Sequence, residues 1–158
     1  MQTDMSSVIA GRLNDYIRDL ETVVNIDSSS DNPAGISQVA QFLSHRLKAI
    51  GFGTRLQKMG DRGVPCLQAS NKPANKMADI MFLGHMDTVF PVGEAARRPF
   101  AIEGNKATGP GVCDMKGGLL VALYTIDILH CFGVLDRLAI RVCLNGDEEV
   151  GSAASRAW

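Results

Sequence analysis

The stretch Ile80-Met81-Phe82-Leu83, followed without a break by Gly84-His85-Met86-Asp87-Thr88, decides the fold. Its four apolar residues face both ways in an extended chain, which predicts a strand in the middle of a sheet with helices on both sides. The polar residues then fall at the strand's end. Toward the C-terminus, residues 115–132 are apolar nearly all round, as in a buried helix, with Gly133 as its stop. Residues 138–144 alternate Leu138, Ile140, Val142 and Leu144 with Ala139, Arg141 and Cys143, which predicts a strand with one more tolerant face. Strand, helix and strand make a βαβ unit, so the expected class is α/β: a mixed, mostly parallel sheet flanked by helices.

Toward the N-terminus, Val8, Ile9, Leu13, Ile17, Leu20 and Val24 recur at helical spacing, with the helix beginning in residues 1–13. Asn32 reads as the N-cap of a second helix with Pro33 at its first position. Its apolar stripe is Ile36, Val39, Ala40, Leu43, Leu47 and Ile50, and Gly51 ends it. Strand-like runs follow at 53–58, 64–70 and 79–83. Residues 90–111 read as loop, with a small hairpin within 100–108.

At 158 residues, 46% apolar and 21% charged, the chain can bury a core. Sixteen Lys and Arg against 17 Asp and Glu give a net charge of −1, which argues against nucleic acid and anionic lipid as partners. The longest apolar run, 119–129, is interrupted by Thr125 and Asp127 and falls short of the ~20 residues of a membrane span. Residues 1–13 lack the basic and apolar regions of a secretory signal, and a cytoplasmic protein is expected. Cys66, Cys113, Cys131 and Cys143 form no CxxC pair and read as buried free thiols.

The chemistry gathers where the strands end. His85 and Asp87 follow one strand, Asp147-Glu148-Glu149 follow the other, and Gly109-Pro110-Gly111 through Asp114-Met115-Lys116-Gly117-Gly118 lead into the helix between them. Open α/β sheets bind ligands at this carboxyl edge. So many carboxylates in one cleft need a compensating charge, and a divalent cation supplies it. Imidazole with carboxylates suits zinc best, with cobalt and manganese as alternatives. Asp114 is also placed to cap a helix, and Gly117 and Gly118 suggest that the helix start approaches another backbone closely. Lys116 does not sit in the spacing of a phosphate loop.

These three motifs, Gly84 to Val89, Gly109 to Gly118 and Asp147 to Ser152, resemble the dinuclear-zinc peptidases and deacylases. That family includes glutamate carboxypeptidase, acetylornithine deacetylase, succinyl-diaminopimelate desuccinylase and aminoacylase. The resemblance implies an amide hydrolase that uses a metal-bound water, with two Zn2+ per complete site and a small-molecule or peptide amide as substrate. It implies His85 as ligand of one metal, Asp114 as the bridging carboxylate, Glu149 as ligand of the second, Asp87 as the group orienting the imidazole, and Glu148 as general base. It also implies that residues 1–158 are the N-terminal portion of a catalytic domain. Further ligands, an inserted domain used for homodimer contacts and the C-terminal portion would then be absent, and residues 152–157 would begin another helix. The chain alone is then expected to hydrolyse amides poorly. The alternative is a catalytically incompetent metal-binding or interaction module derived from the same family.

Overall fold

The computed structural model describes residues 4–74, 77–156 and 158. Helix α1 (Met5–Val24) opens at Asp4, whose carboxylate accepts the N–H groups of Ser6 and Ser7. The part of the expected helix start at residues 1–3 lies outside the described residues. Tyr16, Leu20, Val23 and Val24 reach the core, whereas Ile9 and Leu13 stay about half exposed. The inward stripe is shorter than expected because α1 meets its neighbouring helix through Arg12, Tyr16 and Asp19.

Helix α2 (Pro33–Ala49) starts as the sequence predicts. Asn32 accepts the N–H of Gly35 at 3.2 Å, and Ile36, Val39, Ala40, Leu43 and Leu47 are buried. Gly51, at φ +88°, then turns the chain in a conformation that disfavours side chains. Strands β1 (Gly53–Met59), β2 (Val64–Ser70) and β3 (Ile80–His85) follow. Next come the single turn α3 (Glu94–Arg97), the hairpin β4 (Ala101–Glu103) and β5 (Lys106–Thr108), a kinked segment Val112–Lys116, helix α4 (Gly117–Cys131) and strand β6 (Ile140–Asn145).

The main sheet runs β1-β2-β6-β3. It is mixed but not mostly parallel as expected: β3 and β6 are parallel, joined through α4 as the βαβ reading requires, whereas β2 pairs antiparallel with both β1 and β6 because β1 and β2 form a hairpin. The C-terminal end of α1 and the inner faces of α2 and α4 pack with Leu67, Ala69, Ile140, Val142 and Leu144 into one core. β3 departs from expectation. It lies at the edge of the sheet, and Met81 and Leu83 are 51% and 69% exposed while Phe82 packs inward. The two-sided apolar pattern is real, but among the described residues helices cover only one of its faces.

The thiols also divide. Cys66 is buried, and burial pushes its pKa up to about 11. Cys143 is half-buried, and Cys113 and Cys131 are exposed, so the expectation of four buried thiols fails where the helix and loop surfaces turn outward. After β6, residues 152–156 form turns rather than the expected helix start, and Ala157 lies outside the described residues.

Candidate metal centre

Parallel pairing brings the ends of β3 and β6 side by side, with His85 opposite Asn145. The polar segments after both strands therefore leave from one point. The approach of the third segment depends on Gly111, at φ +71°, where a Cβ would lie 2.6 Å from Thr88 Cγ2. Gly117 is similarly close-packed, with a Cβ position 2.5 Å from the Val112 carbonyl, which bears out a tight helix start there; Gly118 meets only the Met115 side chain.

The His85 ring is buried. Its Nδ1 lies 3.0 Å from the main-chain carbonyl of Asp87 and 3.4 Å from Asp87 Oδ1, and its Nε2 lies 3.1 Å from Asp114 Oδ1. A carbonyl only accepts, so Nδ1 carries a proton and Nε2 of the neutral ring presents a lone pair. That lone pair faces a carboxylate oxygen at contact distance. Such a contact is repulsive unless a second proton or a cation lies between the two atoms. Burial alone would lower the His85 pKa, but the hydrogen bonds to Asp87 and Asp114 outweigh it and push it up to about 9.

Glu149 completes the group. One ligand atom each from His85, Asp114 and Glu149 lie within 4.8 Å of one another, a donor set of one imidazole and two carboxylates suited to a divalent cation. Burial raises the Glu149 carboxyl, and the charges of Asp114, Asp87 and Glu148 add to that shift. Glu148 is largely exposed, with Oε2 3.9 Å from His85 Nε2. Asp114 caps nothing: it is exposed, and α4 begins three residues later without a side-chain cap. Its carboxylate is turned toward His85 instead.

Asp87, 1% exposed, is held from several sides. Its Oδ2 accepts from Ser30 Oγ at 2.7 Å and the Glu149 N–H at 3.1 Å, while Oδ1 accepts from the Glu148 N–H at 3.2 Å. Burial opposes ionisation, yet these bonds and His85 hold its carboxyl below the ordinary range. Asp147 is buried as well, accepting from Ser155 and from the N–H of Ala154, and so anchors the turn after the two glutamates.

Sequence reasoning passed over Ser30, which nothing distinguishes within Ser28-Ser29-Ser30, and gave Lys116 no role. Lys116 is 1% exposed, and its Nζ donates to the Ile26 carbonyl at 2.7 Å, fastening the Asp114 segment to the α1–α2 loop. The Met115 sulfur accepts the His85 N–H at 3.2 Å. Arg97 and Arg98 both pair with the buried carboxylate of Glu94.

Residues 81–158 match the model of Peptidase family M20/M25/M40. Carboxypeptidase G2 of Pseudomonas sp. (strain RS-16) is 38% identical over 140 residues, covering 89% of this chain and 34% of its own. Succinyl-diaminopimelate desuccinylase of Variovorax paradoxus (strain S110) is 30% identical over 137 residues, covering 82% of this chain and 34% of its own. The chain thus spans about a third of the length of these relatives. A crystal structure of human carnosine dipeptidase 1 superimposes with a TM-score of 0.78 at 18% identity, over 94% of this chain and 35% of that one, and shares the fold. Among the described residues, no helix is long and apolar enough to cross a membrane.

Proposed function

The chain belongs to Peptidase family M20/M25/M40, whose members are metal-dependent, and from that premise we propose that it carries metal-binding and proton-transfer residues of an amide-bond hydrolase. The observation that carries the reading is the convergence of His85, Asp114 and Glu149, with Nε2 and a carboxylate oxygen facing each other. In it, His85 would hold one cation, Glu149 a second, and Asp114 would serve both. Zinc is the preferred ion, and cobalt and manganese suit the same donors.

When bound there, the cations would supply Lewis acidity to the amide carbonyl and to the attacking water. The chain's own residues do the rest. Asp87 fixes the imidazole through Nδ1, so that only Nε2 is offered as a ligand. Glu148, adjacent to the ligand group and free to swing in solvent, takes the proton from water and passes it to the leaving amine. The relatives are named a carboxypeptidase and a desuccinylase, which supports amide hydrolysis and keeps both peptides and N-acyl amino acids as substrates. The reading treats residues 1–158 as the N-terminal portion of a catalytic domain, in keeping with alignment to about a third of these relatives' length.

The test is hydrolysis of an N-acyl glutamate by the zinc-loaded chain. A slow rate is expected, removed by chelation and lowered about 100-fold or more by Glu148→Gln with cation affinity unchanged. A rate indifferent to both treatments overturns the reading. A cation bound through His85 with no turnover supports the second reading, an incompetent metal-binding module, which the open edge and open face of β3 favour.

A further inference from the structure

The loop between α1 and α2 contains no residue of the proposed metal set, yet it contacts the segments that carry His85 and Asp114. The Ile26 carbonyl accepts from Lys116, next to the Asp114 segment. The Ser28 carbonyl accepts the Thr88 N–H at 2.9 Å, and Ser29 bridges to Thr88 along the backbone. Ser30 reaches furthest. Its hydroxyl donates to Asp87 at 2.7 Å across 57 positions of sequence, and both residues are buried.

The two oxygens of Asp87 have divided duties. Oδ1 faces His85 and accepts from the Glu148 N–H, while Oδ2 accepts from Ser30 and the Glu149 N–H. A carboxylate free to rotate about its Cβ–Cγ bond would lose the alignment of both main-chain bonds together. Ser30 restrains that rotation by holding Oδ2, the oxygen that also accepts the Glu149 N–H. We infer that Ser30 is a positioning residue of the metal centre: its hydroxyl sets the plane of the Asp87 carboxylate, and through it the main chain that presents Glu148 and Glu149.

The inference rests on His85, Asp114 and Glu149 being metal ligands, and the test keeps the two apart. Cobalt is titrated into the 158-residue chain, its Ser30→Ala and Ser30→Thr variants, and His85→Ala. Ser44→Ala serves as a control, since Ser44 is also buried but bonds Thr54 at 2.7 Å. Ser30→Ala is expected to weaken cobalt binding about tenfold. Ser30→Thr, which keeps the hydroxyl, and Ser44→Ala should stay within about threefold of the parent. In the metal-free chain, the amide NMR signals of Glu148 and Glu149 should shift in Ser30→Ala and stay in place in Ser44→Ala. Parent-like cobalt affinity in Ser30→Ala, or an equal loss in Ser30→Thr, overturns the inference while the ligand reading stands. Failure of the parent to bind cobalt, or binding indifferent to His85→Ala, overturns both.

Discussion

Replacing Asp87 by Asn and by Ala tests how one buried carboxylate holds the site together. In the Asp87→Asn variant one oxygen becomes an NH2 group. Placed at the Oδ2 position, it can be met by the Ser30 hydroxyl turning to accept, but the Glu149 N–H then faces another donor. Placed at the Oδ1 position, it opposes the Glu148 N–H and His85 together, so the first arrangement is preferred. One buried main-chain donor is left unmet, at about 2 kcal/mol. Asp87→Ala leaves both N–H groups and the Ser30 hydroxyl without their acceptor; relief from burying the carboxylate offsets part of that loss, so the net cost is about 4 kcal/mol. A carboxyl held below its ordinary 3.8 contributes stability that is full above that value and lost as pH falls through the lowered one, so pH 7 measures all of it. Urea unfolding of the metal-free chain, with a slope of about 2 kcal/mol per molar, should show midpoints lowered by about 1 M for the Asn variant and about 2 M for the Ala variant. Cobalt affinity should fall in the same order. A midpoint for Asp87→Ala within about 0.3 M of the parent, taking about 0.6 kcal/mol as the resolvable limit, would refute the reasoning.

Two further outcomes follow from the same contacts. Burial lowers the Lys116 pKa from 10.5 to about 8, against the pull of Asp27, so between these values the unfolded chain binds more protons and folding gains stability as pH rises. Lys116→Met removes that titration; the stability difference between variant and parent should change by about 3 kcal/mol in the parent's favour from pH 8 to 10.5, and a difference flat with pH contradicts the assignment. Gly111→Ala forces a side chain into positive φ and places its Cβ 2.6 Å from Thr88 Cγ2 and 3.2 Å from the Asp114 carbonyl. It should cost about 1–3 kcal/mol in urea unfolding and weaken cobalt binding by displacing the Asp114 segment, whereas unchanged affinity would mean that this approach does not set the site.

Much of this was legible in the sequence because local rules govern it. Asn32-Pro33 marks the start of α2, alternation marks β6, and the polar residues after two parallel strands must meet at one edge. Placement gathers His85, Asp87, Asp114, Glu148 and Glu149 near that edge, and the family resemblance supplies the separate role expected of each. What escaped depends on partners far along the chain. The edge position of β3 is set by which strands pair with it, and four apolar residues read alike whether one face or both are covered. Ser30 becomes distinct from Ser28 and Ser29 only once the α1–α2 loop is laid against Asp87. The anchoring role of Lys116 has no sequence sign because its carbonyl partner is 90 positions away. The turn at Asp147 offers no sequence sign that its carboxylate faces inward while that of Glu148 stays exposed.

The proposed function stands on His85, Asp114 and Glu149 holding divalent cations between them. Anomalous diffraction at the zinc edge, from crystals of the chain grown with zinc, tests it most directly. Two peaks are expected, one about 2.0–2.2 Å from His85 Nε2 and an Asp114 carboxylate oxygen, the other at the same distance from the second Asp114 oxygen and a Glu149 oxygen. Zinc found only at the exposed thiols of Cys113 and Cys131, or no peak beside His85 at saturating zinc, would contradict it.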